Sequence, residues 1–197
     1  MSAPWKEVLQ LALKRNAKWR ESKYVQLATV RPDGKPANRT VVYRGFLGET
    51  DKPTFVTDVR SHKVEEIALN PWGEVNWYFI DTREQFRLLG QLLVVTKDEQ
   101  DESLQQARLA AWKNMSDPGR QQFGWPQPGL DRGEDDSIFK PQAPTADDPV
   151  TDTFCLVFMD VEGVDHLELA ANQRHVYSKQ QGGRGSEAEW VIRNVNP

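Results

Sequence analysis

The stretch YVQLATVRPDGKPANRTVVYR, residues 24–44, decides the reading of this chain. Its first part, YVQLATV (24–30), and its last, ANRTVVYR (37–44), are rich in β-branched and aromatic residues. Between them RPDGKP (31–36) carries Pro-Asp-Gly, in which proline presets one turn dihedral and glycine accepts a positive φ. The pattern predicts a β-hairpin. Side chains alternate along a strand, so Arg39 shares a face with Val41 and Tyr43 while Arg44 points the other way. An arginine on an apolar strand face is costly without a partner. An anion is therefore expected beside Arg39.

After the turn GETDKP, the strand TFVT runs into Arg60, Ser61, His62 and Lys63. Val64, Ile67 and Ala68 recur at helical spacing, Ser61 suits an N-cap, and Asn70-Pro71 stops the run, which predicts a helix over 61–69. A helix N-terminus has unpaired N–H groups and a partial positive charge, so each nearby cation is unfavourable by about 0.3–1 kcal/mol. A bound phosphate would reverse that sign, with Thr57 and Ser61 adding hydrogen bonds, and it would also partner Arg39. The competing reading is a capped helix whose basic groups point into water.

Outward from this centre, residues 4–20 read as an amphipathic helix with Pro4 in its first turn. EVNWYFI and QFRLLGQLLVV are strands, and residues 98–116 form a helix with one apolar side. From Asp117 to Val150, which holds six of the 12 prolines, the pattern predicts an extended loop containing FGWPQPG. TFCLVFMDVEG, DHLEL, RHVYSK, a Gly-rich turn QQGGRGS and a closing EWVIRNV follow. About seven strands, three helices and no βαβ alternation predict one mainly β domain over residues 1–197. A closed antiparallel barrel is the economical way to remove its sheet edges.

The 197 residues, 38% of them hydrophobic, suffice for one core. With 25 basic against 29 acidic residues no field of one sign covers the whole surface, which disfavours a dedicated nucleic-acid binder. No apolar run approaches the ~20 residues needed to span a membrane, and the N-terminus lacks the pattern of a signal peptide. Cys155, the single cysteine, fits a reducing cytoplasm and reads as a small buried hydrophobe within FCLVFM. Trp77 and Trp190 on strands read as core, and Trp125 on the loop as a lid candidate.

Neither a Rossmann G-x-G-x-x-G nor a P-loop is present. His62, His166 and His175 lack metal-ligand spacing, and no serine sits in a nucleophile elbow. The sequence offers no catalytic acid, base or nucleophile, as expected where a cofactor performs the chemistry.

The order LATV, RTVVYR, FVTDVRSHK, EQFRLLG and a C-terminal Trp resembles the pyridoxamine 5′-phosphate oxidase family through most of the chain. The resemblance implies an FMN-binding split β-barrel, a homodimer with flavin at the subunit interface, and a small-molecule substrate. It places Arg39, Thr40, Val41, Val42 and Arg44 along the flavin, with Arg39 on its phosphate. Val56 and Thr57 follow, Ser61, His62 and Lys63 complete the phosphate clamp, and Gln85 meets the ring. Gln127 is expected from the partner subunit. Arg44 and His175 are the candidates for substrate.

The chain also departs from the family pattern. His62 stands where the family has an arginine, Leu167 and Gln173 take the places of a flavin-side Trp and a substrate-phosphate Arg, and Tyr177 replaces a further Arg. Loss of those cations weakens the case for vitamin B6 oxidation. Three readings follow: an FMN oxidoreductase, with pyridoxamine 5′-phosphate oxidation as one variant; a flavin- or haem-binding module without turnover; and a barrel that has lost its cofactor, with Arg39 and Lys63 in internal ion pairs.

Overall fold

The computed structural model describes residues 2–180 and 189–197. The predicted hairpin is β1 (Tyr24–Val30) and β2 (Pro36–Val42), paired from Tyr24 opposite Val42 to Val30 opposite Pro36. The remaining strands are β3 (Thr54–Asp58), β4 (Trp72–Phe79), β5 (Glu84–Val95), β6 (Phe154–Glu168), β7 (Gln173–Gln180) and β8 (Glu189–Val195). All pair antiparallel in the order β2-β1-β4-β5-β6-β7-β8, with β3 attached separately to β6. Apart from Gln180, the predicted Gly-rich turn lies outside the described residues.

The predicted closed ring is not formed. Among the described residues β2 and β3 share no ladder, so the sheet stays split between them. Strand β6 is a single 15-residue strand where the sequence suggested two. Its first part pairs with β3, Phe154 opposite Asp58, and its last with β7, Glu168 opposite Gln173. Strand β5 runs beside it almost throughout, with a bulge at Leu89/Gly90. There the backbones approach so closely that a Cβ on Gly90 would lie 2.2 Å from the Asp160 carbonyl oxygen. Only glycine fits that approach.

Helix α1 (Pro4–Arg15) stops earlier than residue 20. The Asn16 Nδ2 donates to the Ala12 carbonyl at 2.9 Å and to Thr82 Oγ1 at 3.0 Å, closing the helix and tying it to the β4–β5 turn. A 3₁₀ turn, Arg20–Lys23, then leads into β1. Trp5 and Leu9 of α1 pack with Val25, Leu27, Trp77 and Phe86 in the main core. Trp190 meets Trp5 edge-on, so both strand tryptophans belong to the core side.

Helix α2 (His62–Leu69) lies where predicted, with Ser61 at the N-cap position. Its hydroxyl does not cap the helix, because it donates back to the Asp58 carbonyl at 2.7 Å. Helix α3 (Glu102–Lys113) is capped instead by the Asp101 carboxylate, which accepts from the N–H groups of Ser103 and Leu104.

The expected loop after α3 holds a short helix α4 (Asp117–Gln121) and 3₁₀ turns at Gln122–Gly124 and Asp136–Phe139. Proline near the start favours the α4 turn. Arg120 and Gln121 donate to the carbonyls of Pro144 (2.8 Å) and Pro141 (2.7 Å), folding the segment back on itself. No described helix is long and apolar enough to cross a membrane.

Candidate functional site

A cleft of about 960 Å³ opens between the β2–β3 side of the sheet and the segment from Met115 to Phe139. The gap in the barrel thus becomes the place where a ligand can enter. Arg39, Thr40, Val41, Val42 and Arg44 supply one edge, Val56 and Thr57 of β3 and Lys63 of α2 the floor, and Gln127 the opposite wall. Nine of the expected residues therefore converge.

Arg39 enters the cleft already partnered. Its Nη2 donates to Glu66 Oε2 at 2.7 Å, and its Nη1 to Thr29 Oγ1 at 2.5 Å and the Leu27 carbonyl at 3.3 Å. Glu66 is only 5% exposed. Burial pushes its carboxyl up, but hydrogen bonds from Thr29 and Arg39 outweigh this and hold it below its usual value. The anion that Arg39 required is thus the protein's own. Glu66 is the residue that sequence reasoning missed; its signal is its position next to the buried Ile67 on the sheet-facing side of α2.

Lys63 is different. Its Nζ donates to Thr57 Oγ1 at 2.9 Å, and Thr57 Oγ1 lies 3.2 Å from Ser61 Oγ. Burial first, then the Arg39 charge, depress its pKa. Among the described residues no carboxylate lies within ion-pair distance of it. Lys63 is thus a partly buried cation beside a like charge, with the Thr57 hydroxyl as its hydrogen-bond partner and the Glu66 and Asp58 carboxylates acting on it only at longer range.

Ser61 and His62 do not line the cleft. Ser61 is one bond behind it, through Thr57. His62 faces the loop, where a Cβ on Gly129 would lie 2.7 Å from its Nε2. Arg60 is held by Asp58, Nε to Oδ1 at 3.0 Å and Nη2 to Oδ2 at 2.6 Å, and its Nη2 also reaches the Trp125 carbonyl at 3.0 Å.

Gln85 and His175 lie away from the cleft. Gln85 stands on the outer sheet face, opposite Tyr78 and Leu167. His175 takes the opposite parity and pairs with His166, its ring 6.2 Å from that of His166. His166 in turn stacks on Phe86 and reaches Glu84 at 3.2 Å. The outer face opposite Leu167 is occupied by Arg174, whose guanidinium grips Asp165 together with Arg87. Gln127 lines the same cleft as Arg39 of its own chain.

Trp125 lines the cleft, with Phe139 edge-on at 5.8 Å, and its Nε1 is buried without an acceptor. Arg20, Lys23 and Tyr24 extend the cleft beyond Arg44; they come from the 3₁₀ turn before β1 and from the first residue of β1, and the periodicity did not signal that turn. Cys155 is buried with its thiol on the Thr57 carbonyl, and burial pushes it up to about 12.

A family model described as pyridoxamine 5′-phosphate oxidase, FMN-binding domain, matches residues 2–96. A curated relative from Arabidopsis thaliana, pyridoxine/pyridoxamine 5′-phosphate oxidase 2, is 38% identical over 195 residues, 99% of this chain and 98% of its own. The crystal structure of a pyridoxamine 5′-phosphate oxidase-related, FMN-binding protein from Nostoc punctiforme superposes with a TM-score of 0.93, at 44% identity, covering 100% of both chains. PhzG from Burkholderia lata shares the fold at a TM-score of 0.77 and 18% identity, over 100% of this chain and 94% of its own.

Proposed function

The chain belongs to the pyridoxamine 5′-phosphate oxidase family, and on that premise we propose that it binds FMN in the cleft and works as an oxidoreductase on a small molecule. The observation that carries this reading is Lys63, a partly buried cation beside Arg39 in the cleft floor, hydrogen-bonded to the Thr57 hydroxyl and, among the described residues, in no ion pair. A phosphate dianion fits that donor set: Lys63 and the guanidinium edge of Arg39 left over from Glu66, with the Thr57 hydroxyl, itself backed by Ser61, holding the Lys63 ammonium at the cleft floor. Bound flavin supplies electron transfer, and the residues of this chain bind and orient it. Val41 and Val42 offer an apolar edge for a ring system, and Trp125 and Gln127 face them across the cleft.

The protein works as a homodimer in this reading. Tyr78 and Leu89 are exposed on the outer sheet face and Ile80, 65% exposed, in the adjoining β4–β5 turn, and such an apolar surface calls for a cover. Gln85 stands on the same face, outside the cleft of its own chain. That is where a residue serving the flavin of a second copy has to lie.

A second reading, oxidation of pyridoxine or pyridoxamine 5′-phosphate, is favoured by the full-length similarity to a relative of that name. Against it stand Gln173 and Tyr177 at the places where the family resemblance calls for arginines.

The visible absorbance of freshly purified protein, with the released chromophore identified by mass, tests the cofactor. FMN is expected, and a colourless protein that ignores added FMN overturns the proposal. Peroxide release from pyridoxine 5′-phosphate separates the two readings of substrate. Sedimentation with FMN added should shift toward dimer, and a flavin-saturated monomer would remove the interface.

A further inference from the structure

The four residues Arg60 to Lys63 divide between two tasks. Ser61 and Lys63 turn toward Thr57, at the floor of the cleft. Arg60 and His62 turn toward the segment that forms the far wall.

Arg60 carries no spare charge for a ligand. Both carboxylate oxygens of Asp58 hold its guanidinium, a fork geometry that fixes direction as well as distance. Its Nη2 donates in addition to the Trp125 carbonyl at 3.0 Å. At Gly129 the backbone has φ +86°, and any side chain there would strike the His62 ring. The loop passes over His62 at the one residue type that permits so close an approach.

Between these two contacts lie Pro126 and Pro128, whose rings restrict the backbone, and Gln127, which reaches the cleft. Residues 126–138 are otherwise exposed. The Thr153 hydroxyl secures the segment further back, at the Phe123 carbonyl, 2.9 Å.

We propose that Arg60 and His62 are positioning residues: they dock the 125–133 segment onto the first turn of α2, so that the aromatic wall of the cleft is fixed by the same four residues that carry its phosphate donor. The inference rests on the FMN reading for the identity of the ligand, while the docking itself does not. His62 accordingly stands beside the phosphate clamp rather than in it.

Limited trypsin digestion of the cofactor-free protein tests the docking, because Arg132 lies within the exposed segment. Cleavage follows the population of the opened loop, so Arg60→Ala and His62→Ala should each be cut after Arg132 roughly ten-fold faster than the parent. Gly129→Ala, which leaves α2 untouched, should behave like His62→Ala. In titrations of Arg60→Ala and His62→Ala, FMN and riboflavin should lose affinity by the same factor, chiefly through faster release. Lys63→Ala should spare riboflavin.

Unchanged digestion in Arg60→Ala, His62→Ala and Gly129→Ala overturns the inference. So does a loss confined to FMN in His62→Ala, which would return His62 to the phosphate. If the parent binds no FMN, the cofactor proposal fails on its own, and the digestion still judges the docking.

Discussion

Two ends of one sheet carry the residues singled out from the sequence, and they behave differently. At the β2–β3 end, Arg39, Val56, Thr57 and Lys63 converge on a cleft. At the β6–β7 end, His175 turns inward toward His166 and Glu84, and an arginine with no expected role, Arg174, faces outward. The first group is held together by short-range geometry: a strand, a tight turn and the first turn of a helix. The second depends on which parity of β7 faces the core, and that is set by pairing with β6. A motif confined to one turn transfers between relatives more safely than one whose meaning depends on strand register.

The largest expected effect sharpens the view of the β6–β7 end as packing. Phe86 is fully buried against the His166 ring, and Phe86→Ala should cost about 3–5 kcal/mol of stability in urea unfolding. A loss below 1 kcal/mol would break the assignment of this cluster to the core.

At the other end, Lys63→Ala should weaken FMN by about 1.5–3 kcal/mol, the range for a charged hydrogen bond, with riboflavin much less affected. Equal losses for both ligands would remove the phosphate from Lys63.

Glu66→Gln comes next, at about 1 kcal/mol of stability near neutral pH. The folded pKa of Glu66 is held below its usual 4.5. Its contribution is therefore complete above that value and disappears as the pH falls through the lower, folded value. The gap between variant and parent should accordingly close on acidification below pH 4.5, and a gap that persists or widens would contradict the pairing with Arg39.

The smallest effect is the one that most directly contrasts the two ends. His175→Ala should change FMN affinity by less than about 0.5 kcal/mol, as for substitutions remote from a site. A loss comparable to that of Lys63→Ala would place His175 at the ligand after all.

Much of this could be read in advance, for identifiable reasons. Pro-Asp-Gly between two β-rich runs fixes the first hairpin within a residue or so, and Val64, Ile67 and Ala68 place α2. The continuity of β6 was hidden by Gly163, which reads as a stop but sits in the ladder opposite Leu89 and Ser178. The role of Glu66 was hidden because a carboxylate on a short polar helix looks solvated until the helix is laid against β1. The far wall of the cleft was legible only as a long segment without periodicity. The hydrogen bonds that tie it to distant parts of the chain, from Arg60, Arg120, Gln121 and Thr153, run to backbone carbonyls, which leave no trace in side-chain pattern.

The length of β6 has one more consequence. Because β3 hangs from its first third and β7 from its last, the cleft and the C-terminal hairpin are hydrogen-bonded to a single continuous backbone. Opening either end exposes part of the same strand, so the two should protect their amides from solvent exchange as one cooperative unit. Ligand bound at β3 would then slow exchange in β7, across the molecule, without any change of conformation between them.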